Sequence, residues 1–136
     1  MYFDEEVVLD LRLNTLDRYV DYFVIVESTF THRGDRRNLK FDRKKFEKFK
    51  DKIIYLTFDK EPKGIEEVYE KDNENEKSRK YIVNAAKREN GQRDYIVNGL
   101  QDASSEDLIL ISDVDEIPNL EDISLKNLEE KILMFQ

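Results

Sequence analysis

The stretch DLILISDVDEIP, residues 107–118, decides how this chain is read. Leu108 to Ile111 is a short, unbroken apolar run with the length and β-branched content of a strand buried inside a parallel sheet. It empties directly into Asp113, Asp115 and Glu116, which sit where such a strand would leave the sheet. Open α/β sheets bind ligands at the carboxyl ends of their strands. Carboxylates are hard oxygen ligands, and three acids in four positions repel one another unless a cation or hydrogen bonds intervene. Pro118 disfavours a helical backbone at Ile117, which keeps the acids on a turn. The stretch is therefore a candidate site for a divalent cation and the phosphate that accompanies it. Asp-X-Asp is a common tripeptide in a chain with 31 acidic residues, where a solvated loop is its ordinary role. The strand pattern in front of it sets this copy apart.

Upstream, Tyr22 to Glu27 (YFVIVE) and Lys52 to Phe58 (KIIYLTF) are two more buried-strand runs. Residues 5–19 place Val8, Leu9, Leu13, Leu16 and Tyr19 at helical spacing, with Arg12 falling on the same stripe. Ser28 to Asn38 reads as a long polar loop. Asp42 can cap a short helix that turns Phe46 and Phe49 to the core and leaves Lys44, Lys45, Lys48 and Lys50 in solvent. Residues 59–78, acidic and lysine-rich, read as a surface excursion. The longest helical pattern covers 79–103, with Ile82, Ala86, Val97 and Leu100 on one stripe. Glu89 and Arg93 fall on that stripe too, with Asn90 and Asp94 beside it. Gly91 weakens that helix by about 1 kcal/mol relative to alanine. A last helix is predicted over 124–133. The alternating order predicts an α/β fold with a mostly parallel sheet and right-handed crossovers.

Composition narrows the function classes. The formal net charge of -8 argues against broad binding to nucleic acid or anionic membranes. The absence of cysteine removes disulfides, thiol catalysis and thiolate metal sites, and a single histidine, His32, removes multi-histidine sites. No apolar stretch approaches the roughly 20 residues of a membrane span, and no signal-peptide pattern is present, so a soluble, cytoplasmic chain is expected. Both ends read as interrupted elements, which predicts one partial domain over 1–136.

Among the polar residues, Glu27 and Ser28 open onto the same predicted sheet edge as Asp113 and Asp115. Arg33, Arg36 and Arg37 match phosphate by their forked geometry, and serve equally as a basic loop that balances an acidic chain. His32 reads as an ordinary loop histidine, with contact to a ligand or substrate as the less common alternative. Arg12 and Arg93 lie on core-facing stripes and need partners, for which Glu89, Asp94 and Asp113 are the candidates.

Four segments together, DYFVIVESTFTHRG (21–34), KFKDKIIYL (48–56), RENGQRD (88–94) and DLILISDVDEIP (107–118), resemble the N-terminal half of glycosyltransferase family 17. That family includes the N-acetylglucosaminyltransferase that adds the bisecting sugar to glycans. The resemblance implies a Rossmann-like, GT-A-type nucleotide-binding half-domain. It also implies a metal-dependent, inverting transfer of N-acetylglucosamine, or a related hexose, from a UDP-sugar to a glycan hydroxyl. Asp115 would hold Mn²⁺ or Mg²⁺. Asp113 would share the cation and contact the sugar nucleotide. Glu27 would lie near the nucleoside, and Arg93 and Asp94 would approach the donor from the long helix. Glu116 is a candidate general base by proximity alone; the acceptor-binding half would follow Gln136. Two other readings stay open. A HAD-type phosphohydrolase also carries Asp-X-Asp after a strand, although usually after the first strand. A non-catalytic fragment that binds nucleotide or metal would need no base at all.

Overall fold

Two parallel strands carry the structure. The computed structural model describes residues 1–121, 123 and 134; the helix expected over 124–133 lies outside them. Strand β1 (Phe23–Ser28) pairs in parallel with β2 (Ile53–Phe58), in register from Phe23 opposite Ile53 to Ser28 opposite Phe58. Side chains alternate along a strand, so Phe23 and Ile25 serve one face and Val24 and Val26 the other.

The first face is covered by α1 (Glu6–Leu16), whose Leu9, Leu13 and Leu16 recur at helical spacing. They form one core with Tyr2, Phe23, Ile25, Phe46, Phe49 and Leu120. Phe46 and Phe49 reach it through a single 3₁₀ turn, Glu47–Phe49, shorter than the helix expected there. The Asp42 carboxylate accepts the Lys44 amide (3.0 Å), in keeping with its capping role. Lys45, Lys48 and Lys50 spend their charges at the surface on Glu6, Asn14 and Glu47.

The other side of the sheet meets α2 (Glu74–Asp94) and the 3₁₀ turn Tyr95–Gly99. This helix begins earlier than the apolar stripe indicates, because Asn73 and Glu76 form a reciprocal capping box. Its buried face is polar. Asn84, Arg88 and Gln92 point inward at four-residue intervals, whereas Ile82, Ala86 and Val97 of the expected stripe face solvent. The reason is what the helix meets, namely main-chain groups that need hydrogen bonds. Asn84 exchanges two bonds with the backbone of Glu66 (2.8 and 2.7 Å), Arg88 forks onto Glu61, and Gln92 Nε2 donates to Val26 O at 2.8 Å. Lys80 pairs with Asp72 as well, so the stretch expected to be a loose excursion is tied to α2 along its length. Gly91 is placed where the helix crosses Phe58; a Cβ there would lie 3.1 Å from the ring. Among the described residues no helix is long and apolar enough to cross a membrane.

The strand expected at Leu108–Ile111 is not part of the sheet. Leu108, Ile109 and Ile111 are 60%, 46% and 63% exposed, and Leu110 alone of the four packs on the core, with Val114 and Ile117 following. A parallel strand requires a neighbour with free ladder groups. Leu108–Ile111 pairs with neither strand: the edge of β1 away from β2 is met at one point by Tyr2, which bridges to Glu27 and donates its amide to Val26 O (3.0 Å).

Glu27 is 0% exposed, and both of its oxygens are occupied. Oε1 accepts the Lys40 amide (2.6 Å) and pairs with Arg37 (3.1 Å); Oε2 accepts the Phe41 amide (3.1 Å) and the Tyr55 hydroxyl (2.8 Å). Removing one partner of a buried pair strands the other, so Glu27→Ala is expected to cost about 3–5 kcal/mol in a urea melt. Burial, and then Glu27, pushes the hydroxyl pKa of both Tyr2 and Tyr55 up to about 12. A raised pKa favours the neutral phenol in the folded state. Its contribution is therefore complete below the ordinary value of about 10 and lost as pH rises toward 12. Absorbance at 295 nm should show these two tyrosines ionising last, and Tyr55→Phe should make the alkaline loss of stability shallower.

Candidate functional site

Asp113 to Glu116 forms a closed turn. The Glu116 amide donates to Asp113 O (3.2 Å), the Asp113 amide donates to Glu116 Oε2 (3.0 Å), and the Ile117 amide donates to Asp115 O (3.1 Å). Two helices hold it. From α1, Arg12 Nη1 donates to Asp113 O (2.9 Å) and Glu116 O (2.8 Å), while its Nη2 donates to Ser112 Oγ (2.6 Å). From the last turn of α2, Arg93 Nη2 sits 3.0 Å from Asp113 Oδ1 and 3.6 Å from Glu89. Arg12 reaches the turn because it shares a flank of α1 with the buried Leu9, Leu13 and Leu16.

The turn lies beside the carboxyl end of β1. Gln92, next to Arg93, bonds Val26, and Tyr2 runs alongside Glu27. The Met1 amino group is close enough to feel Asp113, Arg12 and Arg93; burial lowers its pKa and Asp113 opposes that. For Arg12, burial lowers the guanidinium pKa, opposed by Glu116, Asp113 and Asp115 in that order. An arginine stays charged under such opposition. A fixed positive charge therefore lies among three carboxylates that would otherwise only repel.

Asp113 has one oxygen on Arg93, and Asp115 projects from the turn, exposed. Glu116 uses a carboxylate oxygen to lock the turn. Asp94 is exposed at the end of α2, beside Arg93. Glu27, read from sequence as a nucleoside contact, is enclosed by protein partners and anchors the 37–41 segment. Among the described residues, no three His, Cys, Asp or Glu side chains are gathered for a metal. The arginines of the polar loop are all engaged. Arg33 stacks on Tyr81, and Arg36 stacks on Phe30 and bonds Thr29. Arg37 binds Glu27, Ser28 O and Phe3 O. His32 is exposed, and its carbonyl accepts Arg88 (3.1 Å). Sequence reasoning missed Ser112 and the main-chain partners of Arg12. The signal was present as a charge on an apolar stripe, but it pointed to a carboxylate partner.

The described residues define a small α/β unit built on a two-stranded parallel sheet with helices packed against it. The chain belongs to glycosyltransferase family 17, whose model matches residues 1–132, and it is a glycosyltransferase. Enzymes of this kind generally take a sugar from a sugar-nucleotide donor and pass it to an acceptor such as a glycan, so the phosphohydrolase reading falls away. No curated protein and no solved structure matches the chain at a significant level.

The half-exposed Arg93 pair should add little to stability: Arg93→Ala is expected to change the unfolding free energy by less than about 1 kcal/mol. Gly34 is different. Its φ is +104°, and a Cβ there would lie 2.5 Å from Arg88 Nη2, so Gly34→Ala should cost about 1–3 kcal/mol in the same urea melt.

Proposed function

We propose that this chain is the nucleotide-binding part of a GT-A-type, inverting glycosyltransferase. It transfers N-acetylglucosamine, or a related hexose, from a UDP-sugar to a glycan hydroxyl with the help of Mn²⁺ or Mg²⁺. Family membership supports the reaction class. The observation that carries the finer reading is the braced acidic turn: its main chain is fixed by Arg12, while Asp115 is exposed and its carboxylate meets no partner among the described residues.

The donor set suits a hard cation, because Asp115 and the second oxygen of Asp113 are carboxylate ligands on a restrained backbone. A bound divalent ion would offset the negative charge that gathers on a departing diphosphate. The chain's own residues do the rest. Arg93, half-exposed and shared between Glu89 and Asp113, can turn to a phosphate oxygen without leaving a buried charge behind. Asp94 beside it can accept a donor hydroxyl. Glu27 acts at a distance by holding the segment that follows the loop after β1.

Thermal unfolding with Mn²⁺ and UDP-GlcNAc tests this. At about 100 times the dissociation constant, stabilisation should be roughly 2.7 kcal/mol, a shift of several degrees. Asp115→Ala should abolish the shift. A cooperative melt of the native chain that ligand leaves unmoved would sink the reading.

A further inference from the structure

We infer that Arg12 is a positioning residue for the acidic turn, setting the main-chain shape from which Asp113 and Asp115 meet a cation. The inference rests on the donor-site reading above and adds to it a residue that touches neither donor nor metal. One planar guanidinium satisfies Asp113 O, Glu116 O and Ser112 Oγ at 2.9, 2.8 and 2.6 Å. Asp113 O and Glu116 O belong to the first and last residues of the turn, so Nη1 alone spans both ends of it. The intervening residues, Val114 and Asp115, are held between those two points. Val114 packs toward the core and Asp115 projects outward, so the shape of this backbone fixes where the Asp115 carboxylate stands.

The two arginines divide the work. Arg93 touches a carboxylate of the turn, is exposed, and can leave it. Arg12 is half-buried, touches main chain, and has no other partner described that would compete for it. Its charge also lies near Glu116, Asp113 and Asp115, which lets three acids occupy one turn before any cation arrives. A lysine at this place keeps the charge but loses the planar fork. Groups that orient metal ligands commonly change metal affinity by 10- to 100-fold when removed.

The test uses the 136-residue chain, with Mn²⁺ and UDP as probes and free Mn²⁺ followed by electron paramagnetic resonance. Native protein, Arg12→Lys, Arg12→Met and Asp115→Ala are titrated under conditions where a urea melt shows each variant folded. Arg12→Lys and Arg12→Met are expected to weaken Mn²⁺ binding about 10-fold or more, and Asp115→Ala to abolish it. Amide exchange supplies a readout without metal: in both Arg12 variants the Glu116 and Ile117 amides should exchange faster, with those of α1 between Leu9 and Leu16 unchanged. If Asp115→Ala loses Mn²⁺ while both Arg12 variants bind like the native chain, the positioning role is overturned and the donor site stands. If native protein and Asp115→Ala bind Mn²⁺ equally, or neither binds, the donor-site reading is overturned and the positioning role with it. Should Arg12→Met fail to fold, Arg12→Lys alone decides between these outcomes.

Discussion

The buried carboxylate of Glu27 is the constraint around which the structure is arranged. A charge withdrawn from water is tolerated only when every lone pair finds a donor. Here the donors come from Arg37, the Lys40 and Phe41 amides, and Tyr55 on the neighbouring strand. Satisfying one side chain therefore fixes the return of the chain after β1 and links it to β2. That return carries Phe41 onto Tyr55 and Phe46 in a stacked aromatic row, which closes the core over α1. The polar loop between Ser28 and Lys40 is fixed at its base by the same cluster.

On the opposite side of the sheet, polar groups again supply the specificity. The inward face of α2 is Asn84, Arg88 and Gln92, each meeting main chain or a carboxylate. Such a face carries less apolar driving force than a leucine stripe, but it sets the helix along its own axis. A slide by one residue would break all of these bonds together. That fixed placement brings Arg93 to Asp113. With Arg12 arriving from α1, the acidic turn is gripped from both layers, and its geometry reports on the packing of the whole unit.

Much of this was readable from residue patterns. The strand runs at 22–27 and 52–58 are strands and pair in parallel, and α1 buries the leucines its spacing marks. Arg12 announced itself as a charge on an apolar stripe. Other features were hidden for identifiable reasons. The capping box at Asn73–Glu76 lay inside a stretch whose acidity reads as solvated loop. Apolar periodicity points to the wrong buried face of α2, because the four-residue spacing of Asn84, Arg88 and Gln92 is equally regular and is the one that is buried. Leu108–Ile111 has a strand's composition, but composition cannot provide a ladder partner.

The sequence by itself determined the two paired strands near 22–27 and 52–58, the first helix with the leucines it buries, and that acids follow an apolar run at 108–116. Those features follow from local periodicity and short-range sterics, which need no knowledge of neighbours. Tertiary structure decided what the charges are for. Whether Glu27 faces a ligand or anchors a loop depends on Arg37 and Tyr55 arriving from elsewhere in the chain. Whether Arg12 grips a carboxylate or a main-chain turn depends on where residues 112–116 come to rest. Burial and hydrogen-bond partnership are properties of assembled elements, and no pattern within a single element contains them.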